Sequence, residues 1–444
     1  MELIVAIDSK NGMGYKNKMP WHCSEELNIF YKKTEGSMIL MGYNTAINLP
    51  KLPNREILCI SHTIPLPVYI QTLPNNITFI KDITYLKMKK NIFVAGGQKT
   101  YENNISLVDK IHLSRMKSEY KCDTFFDIKL LKNFVIVEET DYEEFTHYVL
   151  VRTKNGEQQY LDLLEKILND GDSYIGRNGP TKSIFVEHFN FDMRNGFPLL
   201  TTKKMFLRGI LEEFLFFIRG ETNAKLLSDK KVHIWDGNTT SEFIASRNLP
   251  YAEGIMGPMY GYQWRNFGAP YQLDGNNYPI KTEGGIDQLE NVINLIKTDP
   301  NSRRILMTTY NPTQANEGVL YPCHSITIQF YVQDEYLDMF CYNRSQDSFL
   351  GVPYNIASSS LLLMTVAKLT NKTPRYLKMT MGDTHIYEDH IEQSQEQISR
   401  HTYKLPTLKL PTLNNIKDLE NCDTKSFILE NYKCHSTIKA KMIV

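Results

Sequence analysis

Short apolar runs separated by turn-forming residues characterise the first third of the chain. They are LIVAI, MILMG, EILCIS, NIFVAGG, KIHLSRM and HYVLVR, and helix-like segments lie between several of them. Runs of this length bounded by Gly, Pro and Asn are typical of buried strands, and their alternation with helices is typical of a parallel sheet. The pattern predicts an α/β domain with a mostly parallel twisted sheet over residues 1–152.

The pattern changes at TKNGE, a polar turn that begins at residue 153. After this turn, apolar residues recur at the spacing of one helix face. They are Tyr160, Leu163, Leu164, Ile167 and Leu168. We therefore predict a short linker at 153–156 and a second domain over 157–444. So short a connection predicts two domains held in a fixed relation.

Longer apolar segments mixed with strands characterise the second domain. KMFLRGILEEFLFFIRG and ASSSLLLMTVAKLTN predict helices, and HSITIQFYV and YLDMFCYNRS predict paired strands. Residues 237–255 and 266–285 are rich in Gly, Asn and Pro, which predicts ordered loops. The mixture predicts an α+β domain. No apolar segment is long and uninterrupted enough to span a bilayer, so we expect no membrane association.

Composition narrows the function classes. Lys plus Arg and Asp plus Glu are equal at 50 each, so no net charge attracts nucleic acid, and none is expected as a partner. The seven cysteines form no CxxC pair, which argues against a disulfide framework and against a metal site. The apolar N-terminus lacks the features of a secretory signal, and we expect a cytoplasmic protein.

The cysteine in YPCHS, at the start of a predicted strand, is a candidate nucleophile. A thiolate attacks electron-poor carbon, whereas a buried structural thiol is the alternative for Cys323. Nearby segments hold residue types that bind phosphate or a pyrimidine edge, since guanidinium groups grip phosphate and Asn both donates and accepts. These residues are Arg303, Arg304, Arg344, Ser345 and Asn355, and the polar residues Asp347, His385 and Tyr387 lie in the same segments. For the adjacent arginine pair, a solvated charged face is the alternative.

Two adjacent glutamates, Glu212 and Glu213, lie within a predicted apolar helix. Adjacent helical residues lie about 100° apart, so both carboxylates cannot face solvent if their apolar neighbours pack inward. We expect one of them to face a cavity, where burial raises its pKa and suits it to proton transfer. The alternative is a buried glutamate held in a hydrogen bond or an ion pair.

Eight segments of the second domain follow one another as in one enzyme family. They are NGFPLLTTKK, GILEEFLFFIRGETN, IWDGN, GPMYGYQWR, DPNSRRI, YPCHS, NRSQDSFLGVPYNIAS and GDTHIY. Through them, residues 157–444 closely resemble thymidylate synthase. The resemblance implies that Cys323 adds to carbon 6 of dUMP, that 5,10-methylenetetrahydrofolate supplies the carbon, and that the protein is a homodimer with shared active sites.

The same resemblance implies roles for further residues. Glu213 handles a proton, Tyr260 lies near the carbon 5 chemistry, and Trp235, Asn238 and Asp347 contact folate. Arg303 and Arg304 reach the nucleotide phosphate from a second subunit. The complete set of implied dUMP ligands is Arg177, Arg303, Arg304, His324, Arg344, Ser345, Asp347, Asn355, His385 and Tyr387.

The opening of the chain, AIDSKNGMGYKNKMPWHCSEELNIF, combines a strand, a Gly-rich loop and a helix start. Ser24 is the predicted N-cap, and Glu25 and Glu26 suit the first helical turn, which is the structural alternative to a functional role. The glycine pair in VAGGQKTY lets the backbone approach a phosphate at a helix N-terminus. Together with MGYNT, PNREILCIS and CDTFF, these segments make residues 1–152 resemble dihydrofolate reductase.

The second resemblance implies reduction of dihydrofolate by NADPH. Glu26 then anchors the pterin and supports its protonation, Phe30 packs on the pterin, Arg55 binds the glutamate carboxylate of folate, and Thr124 supports Glu26. The implied cofactor ligands are Ala6, Gly14, Trp21, Thr45, Ser61, His62, Gly96, Gly97, Lys99 and Tyr101.

The cofactor phosphate has few cationic candidates. Tyr43 and Asn44 follow Gly42, where many members of the family carry an arginine, so His62 and Lys99 remain. Charge-assisted hydrogen bonds are the stronger ones. We expect NADPH as the cofactor, with reduced discrimination against NADH.

The whole chain thus resembles the bifunctional dihydrofolate reductase–thymidylate synthases, in which the product of one reaction is the substrate of the other. Two alternatives remain at this stage. Cys323 and His324 could form a thiol hydrolase with Asn355 as orienting residue, although adjacent strand residues point to opposite faces. A protein that only binds nucleotide or RNA is the other alternative.

Overall fold

The structure, a computed structural model, describes residues 1–61, 77–81, 83, 91–153, 156–176 and 178–443. The chain divides into two compact units. The first comprises Met1–Asn155 with His401–Lys404, and the second comprises Gly156–Arg400 with Leu405–Val444. The inclusion of a short late segment in the first unit has no counterpart in the sequence pattern.

An eight-stranded twisted sheet organises the first unit, in the order β5-β4-β3-β6-β1-β7-β10-β9. All neighbours are parallel except at β10, which pairs antiparallel with β7 and β9. The predicted mostly parallel sheet is confirmed, and every predicted run contributes a strand. The strands are β1 (Glu2–Ile7), β3 (Met38–Gly42), β4 (Glu56–Ile60), β5 (Ile77–Ile80), β6 (Ile92–Val94), β7 (Lys110–Met116), β9 (Phe134–Asp141) and β10 (Phe145–Arg152).

Shorter elements complete the first unit. Strands β2 (Gly12–Gly14) and β8 (Thr124–Phe125) form a separate antiparallel pair. Its α-helices within the described residues are Ser24–Thr34, Tyr43–Ile47 and Gln98–Asn104. The predicted N-cap is wrong: Cys23 has the extended backbone of a cap residue and no side chain caps the helix, because Ser24 is already its first residue.

A six-stranded mixed sheet, in the order β11-β12-β18-β17-β16-β15, organises the second unit. Only the β17–β18 pair is parallel. The two predicted paired strands are confirmed as β16 and β17, although β16 begins three residues later than HSITIQFYV. The strands are β11 (Asp172–Gly176), β12 (Gly179–Asp192), β15 (Leu306–Thr308), β16 (Thr327–Gln333), β17 (Tyr336–Asp347) and β18 (Thr373–Tyr387).

Helices cover one face of this sheet. Both segments predicted to be helical are among these helices and are buried. The α-helices are Gly156–Asp170, Leu207–Ile218, Lys225–Ser228, Ser241–Ser246, Gly261–Asn266, Gln288–Thr298, Gly351–Leu369, Ile391–Ile398 and Ile416–Glu420. The helices Leu207–Ile218 and Gly351–Leu369 lie in the core with the inner residues of β16 and β17. Helix and mixed sheet together confirm the α+β class.

The two predicted loops contain more regular structure than expected. Residues 237–255 include the helix Ser241–Ser246, which forms because the Thr240 hydroxyl caps its Phe243 N–H. Residues 266–285 include a small hairpin of β13 (Gln272–Leu273) and β14 (Pro279–Ile280). Strands β19 (Thr407–Lys409) and β20 (Ile428–Glu430) form another pair. In the described part of the chain, no helix combines the length and apolarity needed to cross a membrane.

Two candidate active sites

Strand pairing brings Cys323 beside Arg344 in the second unit. Cys323 precedes β16, and the antiparallel pairing of β16 with β17 continues past the strand end, so that the Cys323 carbonyl accepts from Arg344 N–H at 2.9 Å. The Arg344 side chain curls back over the same loop and donates to the carbonyls of Pro322 and Tyr321. A cation is therefore fixed at the loop that carries the thiol, where it can attract an anionic substrate.

A tyrosine hydroxyl is the group that contacts the thiol. Tyr260 Oη lies 3.4 Å from Cys323 Sγ and accepts a hydrogen bond from Cys323 N–H at 3.2 Å. Tyr260 is fully buried, and its backbone adopts φ +37°, a conformation that side chains larger than glycine rarely adopt. Burial raises the pKa of Tyr260 far above its ordinary value, so this hydroxyl acts as a neutral hydrogen-bonding group.

Glu212 of the apolar helix is buried and the adjacent Glu213 is partly buried, and each has a partner. Glu212 forms an ion pair with Lys230 at 2.8 Å. Glu213 accepts from the Trp235 indole N–H at 2.8 Å. Burial raises the pKa of Glu213 to about 7, and the indole hydrogen bond opposes that rise. Since Glu213 also acts electrostatically on Tyr260, the carboxyl group and the thiol belong to one cluster.

The parallel pairing of β17 with β18 aligns several further predicted residues. Ser345 lies opposite Asp383, and Asp347 lies opposite His385. His385 Nδ1 is 2.9 Å from Asp383 Oδ1, and the rings of His385 and Tyr387 meet edge to face at 5.1 Å. The aspartate fixes the ring orientation of His385 and leaves Nε2 as the nitrogen that faces a ligand.

Amide and carboxylate groups surround the start of the helix Gly351–Leu369. Asn355 Nδ2 donates to Gln346 Oε1 at 2.9 Å, which fixes the amide and makes its oxygen the atom available to a ligand. Asp347 Oδ1 accepts from the N–H groups of Phe349 and Leu350. Asn238 is buried, with its N–H bonded to the Trp235 carbonyl.

Four further predicted dUMP ligands remain, and they differ in their surroundings. The side chains of Arg303 and Arg304 are exposed on the single chain. His324 stacks on Tyr260 at 4.3 Å, with its Nδ1 near Ser325 Oγ, and burial lowers the pKa of His324 to about 4. Arg177 lies outside the described residues.

In the first unit, the site is built around Glu26 on the helix Ser24–Thr34. Glu26 is buried, and burial raises its pKa to about 7. The Ser114 side chain on β7 acts in the opposite direction and lowers the pKa of Glu26. Sequence reasoning missed Ser114, although it lies in the predicted strand KIHLSRM. It assigned Thr124, whose hydroxyl donates to Asp123 Oδ1 at 3.0 Å.

The two other folate candidates lie at the same helix. Phe30 packs beside Ile39 and Met41 in a small apolar cluster. The Arg55 guanidinium donates to Thr34 Oγ1 at 3.0 Å and to the carbonyls of Tyr31 and Pro53. These bonds hold a cation at the end of the helix that carries Glu26.

Close backbone packing characterises the predicted cofactor segment around Gly96 and Gly97. A Cβ on Gly97 would lie 3.2 Å from the Thr45 hydroxyl, so a larger residue would crowd Thr45. Lys99 is exposed at the start of the helix Gln98–Asn104. The Thr45 hydroxyl, the Lys99 ammonium group and the first N–H groups of this helix are hydrogen-bond donors. Together they suit the diphosphate of NADPH. Tyr101 is buried, with its hydroxyl bonded to the Ile4 carbonyl at 2.9 Å.

The remaining cofactor candidates lie on different elements. Ala6 lies on β1 opposite Ser114, and Gly14 pairs with Thr124 in the small β2–β8 sheet. Trp21 is buried against Tyr120 at 5.2 Å. Ser61 N–H donates to the Ile80 carbonyl. His62 lies outside the described residues. Within the described ranges, no group of three or more His, Cys, Asp and Glu is arranged to hold a metal ion.

The two folds and their sites define a folate-dependent enzyme class, and comparison with known proteins agrees. Residues 158–444 match the family model of thymidylate synthase, and residues 1–153 match that of dihydrofolate reductase. The bifunctional dihydrofolate reductase–thymidylate synthase of Paramecium tetraurelia is 36% identical over all of this chain and 98% of its own length. Those of Zea mays and Leishmania amazonensis are each 32% identical over all of this chain and cover 96% and 95% of their own lengths.

The chain belongs to the bifunctional dihydrofolate reductase–thymidylate synthases. It methylates dUMP with 5,10-methylenetetrahydrofolate and reduces the resulting dihydrofolate with NADPH.

Proposed function

We propose that Cys323 is the nucleophile of the synthase reaction and that Glu213 handles the associated proton transfers. The observation that carries this proposal is the cluster in which the Tyr260 hydroxyl lies 3.4 Å from Cys323 Sγ. Glu213, held by the indole of Trp235 at 2.8 Å, belongs to the same cluster. A carboxyl group with a pKa of about 7 both gives and takes a proton near neutral pH.

The chemistry follows from these positions. The thiolate forms a bond to carbon 6 of dUMP, which makes carbon 5 nucleophilic, and carbon 5 attacks the methylene carbon of the folate. The attack opens one bond between the methylene carbon and a folate nitrogen, and loss of the carbon 5 proton expels the second nitrogen as tetrahydrofolate. Hydride transfer from this tetrahydrofolate to the methylene carbon then gives the methyl group and dihydrofolate. The S–C6 bond breaks in the last step, which regenerates the thiol. Glu213 moves protons during these steps.

Nucleotide binding is assigned to the surroundings of Cys323. Arg344 and Ser345 hold the phosphate, His385 and Tyr387 hold the sugar hydroxyl, and His324 lies at the same loop. Asn355 reads the uracil edge: with its nitrogen held by Gln346, its oxygen accepts from the ring N–H that cytosine lacks. Arg177 is assigned to the phosphate by sequence alone. Trp235, Asn238 and Asp347 bind the folate.

In the reductase unit, Glu26 orients the pterin and supports its protonation, while Phe30 and Arg55 bind the ring and the glutamate tail of folate. NADPH supplies the hydride when bound. Its contacts are assigned to the following residues: Ala6, Gly14, Trp21, Thr45, Ser61, His62, Gly96, Gly97, Lys99 and Tyr101. The scarcity of cations among them supports weaker discrimination against NADH than in arginine-bearing relatives.

We further propose that the protein is a homodimer through the synthase unit. Inner residues of β16 and β17 such as Phe330 and Met339 fill the core, whereas Phe185, Tyr331 and Phe340 are exposed. Phe185 is 81% exposed and Tyr331 is 59% exposed. Since large apolar side chains on an open sheet face mark an interface, a second copy is the expected cover. The exposed Arg303 and Arg304 then serve the partner's site.

We assign the reductase domain to residues 1–152, the linker to 153–156 and the synthase domain to 157–444.

We also propose a cytoplasmic location. It is supported by the seven cysteines, all of which are free thiols.

The thiol hydrolase alternative is disfavoured by the same geometry. The described partner of Cys323 Sγ is the Tyr260 hydroxyl, and His324 stacks on that tyrosine rather than donating to or accepting from the sulfur. A hydrolase needs a base within hydrogen-bond reach of its nucleophile.

A sequential assay tests both halves of the proposal. Purified protein receives dUMP and methylenetetrahydrofolate and then NADPH, while absorbance follows dihydrofolate as it forms and is consumed. We expect Cys323→Ser to abolish only dihydrofolate formation and Glu26→Ala to abolish only its consumption. Cys422→Ser is the matched control, because this partly exposed thiol donates to the Asp418 carbonyl, as a serine hydroxyl also does. Full synthase activity of Cys323→Ser would refute the proposed nucleophile.

A further inference from the structure

The loop that carries Cys323 contains a buried residue in a rare backbone conformation. Ser325, two positions after Cys323, has φ +53°, in the left-handed region that residues with a Cβ adopt at a cost. Ser325 is buried, so its backbone N–H and carbonyl need hydrogen-bond partners within the protein. The regular ladder begins at the next residue, where the Ile326 N–H donates to the Tyr342 carbonyl at 2.8 Å. The partners of Ser325 therefore have to come from outside the ladder.

Two buried side chains supply these partners. The Ser325 N–H donates to Asn343 Oδ1 at 2.7 Å. The Ser325 carbonyl accepts from the Thr309 hydroxyl at 2.9 Å, and the same hydroxyl lies 3.5 Å from the His324 carbonyl. Both Thr309 and Asn343 are completely buried. We call these two side chains the Ser325 clamp, because one holds the N–H and the other holds the carbonyl of the same residue.

The order of the sheet places the clamp on both sides of the turn. Strand β16 lies between β15 and β17. Thr327, the first residue of β16, pairs with Thr308 on β15 and with Tyr342 on β17. Because both pairings are antiparallel, the residues that follow these two partners lie beside the turn that precedes β16. These residues are Thr309 and Asn343.

The bond to Ser325 accounts for the burial of the Asn343 amide. Within the ranges that the structure describes, Asn343 Nδ2 has no hydrogen-bond partner. Burial of an amide group costs folding free energy unless hydrogen bonds compensate it. The Asn343 oxygen accepts the Ser325 N–H, so this contact with the loop is what offsets the cost.

The clamp completes the attachment of the loop. Before the turn, the Cys323 N–H donates to Tyr260 Oη, and the Cys323 carbonyl accepts from the Arg344 N–H. After the turn, the chain enters β16. Ser325 lies between these two fixed parts, and rotation about its backbone bonds would move Cys323 relative to the sheet. The clamp opposes that rotation.

We propose that Thr309 and Asn343 are positioning residues of the synthase, which hold Ser325 in its left-handed conformation and thereby place the Cys323 thiol for attack on dUMP. This inference rests on the proposed role of Cys323 as nucleophile. Both side chains act through the backbone of the loop and touch neither dUMP nor folate in this scheme. The effect on rate can be large, because a reacting atom displaced by about 1 Å can cost on the order of 100-fold.

A pair of variants at Thr309 separates hydrogen bonding from packing. Thr309→Val keeps the shape of the side chain and removes the hydroxyl, whereas Thr309→Ser keeps the hydroxyl. The measurement is kcat and KM for dUMP of the full chain, with dihydrofolate formation followed by absorbance. We expect Thr309→Val to lower kcat about 10-fold and to change KM by less than about two-fold, because the thiol moves while the nucleotide contacts stay. Thr309→Ser should keep kcat within about three-fold of wild type.

Thr365→Val is the matched control for the loss of a buried hydroxyl. Thr365 is as buried as Thr309, and its hydroxyl donates to the carbonyls of Leu361 and Leu362 within a helix. This control should keep kcat within about two-fold of wild type. Hydrogen exchange of β16 and β17 peptides checks that each variant is folded. A wild-type kcat in Thr309→Val, or a loss that Thr309→Ser or Thr365→Val shares in full, would overturn the inference.

A glycine background tests the backbone conformation itself. Glycine adopts the left-handed region without the penalty of a Cβ, so a loop with Ser325→Gly depends less on the clamp. In this background the fall in kcat caused by Thr309→Val should shrink to less than about three-fold. In a Ser325→Ala background, which keeps the Cβ, the fall should stay about 10-fold. Equal falls in the two backgrounds would overturn the inference.

Asn343→Leu gives the same test if Thr309→Val does not fold. Leucine resembles asparagine in shape and offers no acceptor to the Ser325 N–H, so kcat should fall about 10-fold and recover in part with Ser325→Gly. Absence of the fall or of the recovery would overturn the inference. Cys323→Ser separates the two proposals. Wild-type synthesis in Cys323→Ser would remove the nucleophile, whereas lost synthesis there with unchanged kcat in the clamp variants would remove only the clamp.

Discussion

The Tyr260 hydroxyl contacts both the sulfur and the backbone N–H of Cys323, at 3.4 and 3.2 Å. One neutral group thus orients the thiol that we propose as the nucleophile, together with its loop. The contact depends on a tyrosine backbone in the left-handed region, with φ +37°. A residue held in such a rare conformation at a reactive thiol is consistent with a functional constraint.

The first prediction concerns this hydroxyl. Tyr260→Phe removes the group that orients the thiol and leaves Cys323 N–H without its acceptor, so we expect synthase kcat to fall about 10- to 100-fold with little change in the KM for dUMP. Tyr262→Phe is the control, since the buried Tyr262 hydroxyl bonds to the carbonyls of Ala269 and Pro270 instead. Steady-state kinetics of both variants check the prediction. Equal losses in both would make the effect one of packing.

The second prediction concerns the pH dependence of the synthase. Burial raises the pKa of Glu213 to about 7, and the Trp235 indole N–H lowers it by stabilising the ionised carboxylate. Trp235→Phe removes that donor, so the pKa rises further. We expect the bend in the kcat profile near pH 7 to move upward by roughly half to one unit.

Two control variants test whether the bend in the pH profile belongs to Glu213. Glu213→Gln should lose both activity and the bend. Lys230→Met removes the partner of the neighbouring Glu212 and should leave the bend in place. A bend that stays fixed in Trp235→Phe would assign it to another group.

The sequence predicted the fold class, most strands and the long helices because their apolar periodicity is local. It could not predict partners that only tertiary pairing creates. The Ser114 side chain lowers the pKa of Glu26 from a strand far along the chain, and nothing in KIHLSRM marks one serine as special. Thr124 was chosen from a motif, yet it lies in a separate two-stranded sheet and bonds to Asp123.

In the synthase site, too, the sequence predicted the residues but not their contacts. The motifs located Cys323, Glu213 and Tyr260, whereas the contact between Tyr260 and Cys323 depends on a loop and a helix start that are 63 residues apart. The helical argument also predicted that one of the two glutamates faces a cavity. In the structure Glu212 is buried and Glu213 is partly buried, and Lys230 supplies the ion pair that compensates burial of Glu212.

The third prediction tests the shared active site of the proposed dimer. The double variant Arg303→Ala/Arg304→Ala and the variant Cys323→Ser should each lack synthase activity. Mixed after subunit exchange, they form heterodimers in which one site combines an intact Cys323 with intact arginines. About one site in four should then be active, as random pairing requires. Activity of the mixture at a known subunit ratio is the measurement.

A matched mixture provides the control for complementation. Cys323→Ser and Glu213→Gln both affect the cluster of a single chain, so their heterodimers contain no complete site and should remain inactive. Absence of recovery in the arginine mixture, with mixed dimers present by mass, would contradict a shared site.

The fourth prediction links the reductase site to stability. Burial raises the pKa of Glu26 from 4.5 to about 7. A carboxyl group with a raised folded-state pKa contributes stability that is present below pH 4.5 and is lost as pH rises through about 7. Glutamine cannot ionise, so Glu26→Gln should stabilise the reductase unit at pH 8 relative to pH 5, by roughly 3 kcal/mol at most. Hydrogen exchange of β1 and β7 peptides under native conditions measures the free energy of opening of this unit.

Glu25→Gln is the matched control for this fourth prediction, because Glu25 is the adjacent residue and its side chain is exposed. It should change the opening free energy equally at both pH values. We expect Glu26→Gln to lose reduction and to gain stability at high pH. Both effects follow because burial gives the carboxyl group a pKa suited to proton transfer near neutral pH and also destabilises the folded protein when the group ionises. A Glu26→Gln protein with no pH-dependent gain would show that the carboxyl group is not desolvated in the folded protein.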